Sequence, residues 1–350
     1  MRRIEYSELM VTPPDVRFTR ALQKRNERLK QRIGSQQEVE WNKLTLDEEQ
    51  HALLLQVQEV QGTIFSHSFK DNSPQFHVDF IDINTLGAWV FVDSEEEPIV
   101  FVALTPALVG YLLEISKRIV ASAQVSAVLG IEESLSNEED LDESIFLIAL
   151  QFIITHEVGH YTNGHIGGNT LWFEFSAEQA KTRENVLASH ADELEADFYG
   201  ISELSFNMFE GSFREVLPQR SPPHGEYREE ELAQLIAIAL TGVMLLYLHR
   251  YRDEALRLSS THPPIRMRLE ELLNQLAVSM EKTGKNPAAI KDENRRALVR
   301  AVLSALPEEI SARWQRQVDF MLEPSTAKYV EELQDFRVAR VAARDAAAQQ

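Results

Sequence analysis

The 350-residue chain predicts an α+β fold that is mostly helical around one small sheet. Three observations lead there. Stretches of helical length and helical apolar pattern recur at 106–123, 144–160 and 232–248, and again after Leu269. Strand-like apolar runs gather within residues 76–104. Breaks containing Gly or Pro punctuate the helical part. Three regions are expected: an N-terminal helical region with a basic segment at 1–62, a central domain at 63–275, and a C-terminal helical region at 276–350.

Taken in order, the first element is a helix with a basic face. Arg17, Arg20, Lys24, Arg25, Arg28, Lys30 and Arg32 fall within sixteen residues with Glu27 as the only acid among them. Such a face packs on the protein's own acidic surface or docks an acidic partner through residues 17–32. Thr45 to Glu48 reads as a capping box for a helix to about Val60, closed by Gly62. Phe76 to Ile81, Ala88 to Val92 and Ile99 to Leu104 read as three strands of the sheet. Thr105 caps, and Pro106 opens, a helix to about Ala123. Ser134 to Glu143 is expected as an acidic, solvated connector. Ser144 to Thr155 is then a near-continuous apolar helix, with Asp142 expected as its cap.

Gly164, Gly167 and Gly168 end that helix, and Leu171 to Phe175 is an aromatic stretch suited to core packing or a cleft wall. Ala191 to Asp197 is helical. Ser221 to Gly225 is a loop. Leu232 to Leu248 sits at the lower length limit for crossing a bilayer. Gln234, Thr241 and Gly242 interrupt it, and acidic and basic flanks suit a buried core helix, so no membrane span is expected. Further helices follow, broken near Gly284 to Pro287, Leu306–Pro307 and Glu323–Pro324, and ending in an Ala-rich helix from Val338.

Composition narrows the function. The net charge is −20 and the pI is about 5.0. A phosphate backbone is repelled overall, so nucleic acid is not an expected partner. The absence of cysteine removes disulfides and thiolate metal sites. The first residues carry no apolar run of the kind a secretory signal needs, and the cytoplasm is the expected location.

The chemistry sits in His156-Glu157-Val158-Gly159-His160. Residues four apart share a helix face, so both imidazoles can point at one cation, with Glu157 beside a metal-activated water as its base. A catalytic zinc takes three protein ligands. Downstream candidates for the third are His165, His190, Asp192, Glu193, Glu195 and Asp197. His165 lies nine residues after His156, where the extended histidine motif needs ten and Ile166 stands; a loop position, or contact with a ligand rather than the metal, suits it better. Glu193 and Asp197 share a helix face, so Glu193 can bind the metal while Asp197 accepts the free ring N–H of a ligand histidine. Glu195 points elsewhere and is expected to be nearly silent.

With His156-Glu157-x-x-His160 followed by Glu193-Leu-Glu-Ala-Asp197, the chain resembles the gluzincin metallopeptidases, in particular the HtpX and CAAX prenyl protease superfamily. Ser260 to Leu269 is similar to that family's T-H-P-P-x-x-x-R-hydrophobic segment, and the resemblance spans roughly residues 76–275. It implies a zincin-like core with the motif on its active-site helix, a Zn2+ cofactor on His156, His160 and Glu193, and a protein or peptide substrate. It also implies that the strand entering Pro106 lies along the cleft edge. His262 and Arg268 are the donors this segment offers to an oxyanion; alternatively Arg268 holds Asp197 or Glu193 in an ion pair and His262 caps a helix. The expected activity is a zinc-dependent endopeptidase with Glu157 as general base. The alternative is a latent or regulatory zinc-binding module of a stress or phage-defence type, acting mainly through partner binding.

Overall fold

The structure is a computed structural model that describes residues 14–33, 42–48, 51, 54–55, 57–58, 75–83, 86–93, 99–130, 138–165, 182–211, 213–218, 227–251 and 262–348. The aromatic stretch 171–175, the loop 221–225, Gly62, Gly167, Gly168 and Thr261 lie outside the described residues. It is mostly helical with one small mixed sheet, the expected α+β class.

The sheet holds β1 (Gln75–Phe80), β2 (Ala88–Val92) and β3 (Ile99–Leu104) in the order β1-β3-β2. β1 runs parallel to β3, with Gln75 opposite Ile99 and Phe80 opposite Leu104. β2 runs antiparallel, with Ala88 opposite Leu104 and Val92 opposite Val100. β3 is buried at all six positions, as a strand covered on both faces should be. Side chains alternate across it. Val78, Phe80, Val90, Val100, Val102 and Leu104 face the main helical core. Ile81, Trp89, Phe91, Ile99, Phe101 and Ala103 face the opposite way.

That second face is covered by α1 (Pro14–Ile33), through Phe18, Ala21 and Leu22. Its first arginine is not free to greet a partner. Arg17 is buried, and its Nε donates to Asp93 Oδ2 at 2.6 Å while Asp93 Oδ1 accepts from the Ile99 N–H. Arg20 and Lys24 are exposed. Glu48, His51, Leu54, Leu55, Val57 and Gln58 are helical, but the helix begins at Glu48, where the His51 N–H bonds to the Asp47 carbonyl, so the expected capping box at Thr45 is not formed; its far end lies outside the described residues.

α2 (Pro106–Val120) starts where the sequence places it, with the Thr105 side chain accepting from the Leu108 N–H. The same hydroxyl accepts from the Gly87 N–H, which ties the entrance of β2 to the helix cap. A short α3 (Ala123–Leu129) follows. α4 (Glu138–Thr162) carries the histidine motif. It begins inside the stretch expected to be a solvated connector; Leu141 is buried, four residues before Ile145, and extends the packed face backward by a turn and more. From Ile145 to Ile154 nearly every side chain is buried, because α5, α2, α7 and two strands surround α4.

α5 (Arg183–Phe209) packs along α4. The two backbones approach closely at Gly159 and Gly200. A methyl group on Gly159 would stand 3.0 Å from Ala196 Cα, and one on Gly200 would stand 3.1 Å from the His156 nitrogen. After the short α6 (Phe213–Val216) comes α7 (Glu229–Tyr251). By length and composition α7 could cross a membrane, but 83% of its apolar window is buried against protein. α8 (Ile265–Lys282) crosses both α5 and α7, and the expected boundary at 275 falls within it. α9 (Asp292–Ser304), α10 (Glu308–Met321) and α11 (Pro324–Ala348) complete the chain, with ends at all three Pro-bearing breaks. α11 lies against α5, where Leu333 and Tyr329 bury beside Ala191 and Leu194.

Candidate active site

Five elements and one turn meet at a single cleft. α4 presents His156, Glu157 and His160 on consecutive turns of its α5-facing side, all less than 10% exposed. α5 presents Glu193, α8 presents Arg268, and the turn before α8 presents His262. Pro263 and Pro264 are buried behind that turn and stiffen it. Ala88 and Trp89 from β2 and Tyr247 and Arg250 from α7 close the remaining walls, leaving about 30 Å³ of free space.

His156 Nε2 and His160 Nε2 lie 3.2 Å apart. Glu193 reaches both, with Oε2 at 3.8 Å from His156 Nε2 and Oε1 at 3.6 Å from His160 Nε2. Donors held at about 2.0–2.1 Å from a tetrahedral cation stand roughly 3.3 Å from one another. Two imidazole nitrogens and a carboxylate at these separations, all buried, are the donor set that suits Zn2+, and the residues fit the ion.

Burial dominates the electrostatics of the cluster. Burial, reinforced by the charges of neighbouring cations, holds His160 well below its ordinary pKa and so keeps it neutral with a lone pair to offer. Burial raises Glu193 despite the opposing charge of Arg268. Burial also pushes Glu157 up to about 8. His156, unlike His160, is raised: burial would lower it, but the contact with Asp197 and the charges of Asp197 and Glu193 outweigh that.

Asp197 stands behind the cleft, with Oδ1 at 2.9 Å from His156 Nδ1. Burial would raise its carboxyl, yet Arg268 and His156 hold it at about 2. It is therefore an ionised carboxylate in close contact with Nδ1 of His156, while Nε2 of the same ring lies in the cleft. Arg268 takes the ion-pair arrangement rather than an open one. Its Nε and Nη2 donate to the two oxygens of Asp197, each at 2.7 Å, and its Nη1 lies 3.0 Å from Glu193 Oε2. His262 lines the cleft with Nε2 at 3.8 Å from Glu193 Oε1, and burial together with Arg268 and Arg250 keeps it neutral.

All seven residues singled out from the sequence thus come together: His156, Glu157, His160, Glu193, Asp197, His262 and Arg268. One expectation is corrected. The strand entering Pro106 is β3, which is the central strand and has no open edge; the strand lining the cleft is β2, through Ala88 and Trp89. Strand order is a long-range property that a run of apolar residues does not carry. Glu195 points away from the cleft, and its side chain meets His165, Arg340 and Arg344. Sequence reasoning also passed over Trp89, Tyr247 and Arg250. Arg250 had read only as a basic flank complementing the helix dipole, although it stands three residues from Tyr247, one helix turn away on the same side.

An α+β helical protein with a buried His-His-Glu cluster beside a carboxylate is the class the fold and site define. Residues 129–287, a little under half of the chain, match the sequence model of the family described as Peptidase U49. That span holds the motif helix, the glutamate helix and Arg268 together. No curated protein and no solved structure matches the chain.

Proposed function

We propose that this chain is a zinc-dependent endopeptidase of gluzincin type. The observation that carries the reading is the convergence of His156, His160 and Glu193 on one buried point with Glu157 beside it. The peptidase family match supports it independently. A zinc ion held by those three side chains supplies Lewis acidity that polarises a peptide carbonyl and makes water a better acid.

The protein's own groups do the rest. Glu157 lines the cleft and takes a proton from the attacking water, then returns it to the leaving nitrogen. Burial raises its pKa against the opposing charges of His156, Arg250 and Arg268, and a divalent charge within reach would further favour the ionised base. His262, neutral and facing the cleft, is placed to donate to the developing oxyanion. Asp197 and Arg268 fix the ligands and do not touch the reacting atoms. Among the described residues no strand pairs with the outer edge of β2, and an extended substrate can add there beside Trp89.

The deciding experiment compares wild type with Glu157→Gln. The variant is expected to bind one zinc per chain, as wild type does, and to lose peptide hydrolysis by at least about 100-fold. Turnover near the wild-type rate in zinc-replete Glu157→Gln would refute the assigned base. A wild-type chain that binds zinc but cleaves nothing until a partner protein is added would favour the latent form of the same site.

A further inference from the structure

Just past α4 the chain reverses at Gly164, whose φ of 72° is a left-handed conformation that glycine adopts without strain. The His165 N–H bonds back to the His160 carbonyl at 2.9 Å. This turn swings the His165 side chain, which is wholly buried, beneath the ring of His160. Their Nδ1 atoms lie 3.1 Å apart. The other nitrogen of His165, Nε2, lies 3.1 Å from Glu195 Oε2 and 3.4 Å from Asp192 Oδ1. Both carboxylates are gripped from α11: Arg344 pairs with Glu195, and Arg340 reaches Asp192 at 2.6 Å.

Hydrogen bonding around this chain has one consistent assignment with neutral rings. A carboxylate paired with arginine only accepts, so His165 Nε2 carries a proton and donates it to Glu195. His165 Nδ1 then holds a lone pair. The 3.1 Å contact with His160 is a hydrogen bond only if His160 Nδ1 carries the proton. His160 Nε2, the atom that faces Glu193 and His156, then carries no proton.

We propose that Glu195 and His165 form a relay that fixes the tautomer and ring orientation of His160, and that Arg340 and Arg344 of α11 anchor its far end. The proposal rests on reading the cleft as a metal site. It makes His165 and Glu195 positioning residues, and it joins the C-terminal helix to the ligand sphere. The cluster His165, Asp192 and Glu195 also has the spacing of a cation site. Two guanidinium groups already balance its carboxylates, and His165 Nδ1 is committed to His160, which favours the relay; metal stoichiometry separates the two.

The first measurement uses wild-type, metal-free, 15N-labelled full-length protein, with long-range proton–nitrogen spectra assigning the imidazole tautomers. The relay requires His160 protonated at Nδ1 and His165 at Nε2; His160 found with its proton on Nε2 overturns it, whether or not the chain is a peptidase. The second measurement is zinc affinity by chelator competition. His165→Ala is expected to weaken zinc by about 10–100-fold. His165→Asn, whose amide oxygen stands near the place of Nδ1, is expected to recover most of the loss. Unchanged affinity in His165→Ala refutes the relay, and so does a second zinc equivalent that disappears with His165. If the wild-type chain binds no zinc, the metallopeptidase reading falls while the tautomer spectrum still decides the relay.

Discussion

Arg268 heads the fully buried side chains of the described residues by size, and its surroundings explain why a cation is tolerated there. Every guanidinium nitrogen meets a carboxylate oxygen of Asp197 or Glu193. One face of the guanidinium lies 5.1 Å from the centre of the Tyr247 ring. Removing the arginine leaves two buried carboxylates without their partner, which costs about 3–5 kcal/mol. Arg268→Ala is therefore expected to lose that much stability in urea unfolding of metal-free protein. Arg268→Lys should restore little of it, because one ammonium cannot span two carboxylates as a planar fork does. An Arg268→Ala protein as stable as wild type but slower in kcat would return this residue to the oxyanion. The sequence placed Arg268 near the site through its motif spacing and left both roles open. Choosing between them required the distances from α8 to α5, which no local pattern encodes.

At the level of elements, the site depends on how closely α4 and α5 approach. Gly159 lies inside the histidine motif, and a Cβ there would meet Ala196 Cα and O at 3.0 Å and Tyr199 Cβ at 3.1 Å. These are atoms of a packed helix and cannot swing aside. Gly159→Ala is expected to cost about 1–3 kcal/mol by overpacking. It should also weaken zinc binding, since the displaced helix carries Glu193. Gly110→Ala is the control: that glycine is exposed on α2 with nothing within 4 Å of the added carbon. Its replacement should stabilise by about 0.5–1 kcal/mol through helix propensity. Equal melting temperatures for the two variants would show that α4 and α5 have room to spare. Most elements were legible because their apolar period was strong, as in the three strands and α2. The start of α4 was not, since the acids from Glu138 to Glu143 read as solvated until Leu141 is seen to be buried. Nor was the sheet order, which set β2 rather than β3 beside the cleft.

Across the whole molecule, the sheet divides two apolar clusters of unequal size. The larger holds the cleft helices, and the smaller is closed by α1 through Phe18, which contacts the Phe91 and Phe101 rings at 5.6 and 5.4 Å between centres. Phe18→Ala is expected to destabilise the protein by about 3–5 kcal/mol. Zinc stoichiometry in the folded variant should stay at the wild-type value, because the lost ring lies across the sheet from the histidines. Loss of zinc from folded Phe18→Ala would mean that the two clusters act as one. The basic run that opens the sequence gave no hint of this role; its buried residues are apolar ones set between the charges, together with Arg17 held by Asp93.

The position of α5 at the centre of these contacts bears on how the sequence is free to change. His190 bonds to Tyr329, Asp192 and Glu195 meet the arginines of α11, Glu193 faces the cleft, Ala196 meets Gly159, Asp197 holds His156 and Arg268, and Gly200 abuts α4. Between Ser189 and Ile201, Phe198 alone is exposed. A helix with a neighbour on almost every side has few positions where substitution is neutral. Among descendants of a common ancestor this stretch should drift more slowly than α9 or α10, with position 198 the one place where variation collects.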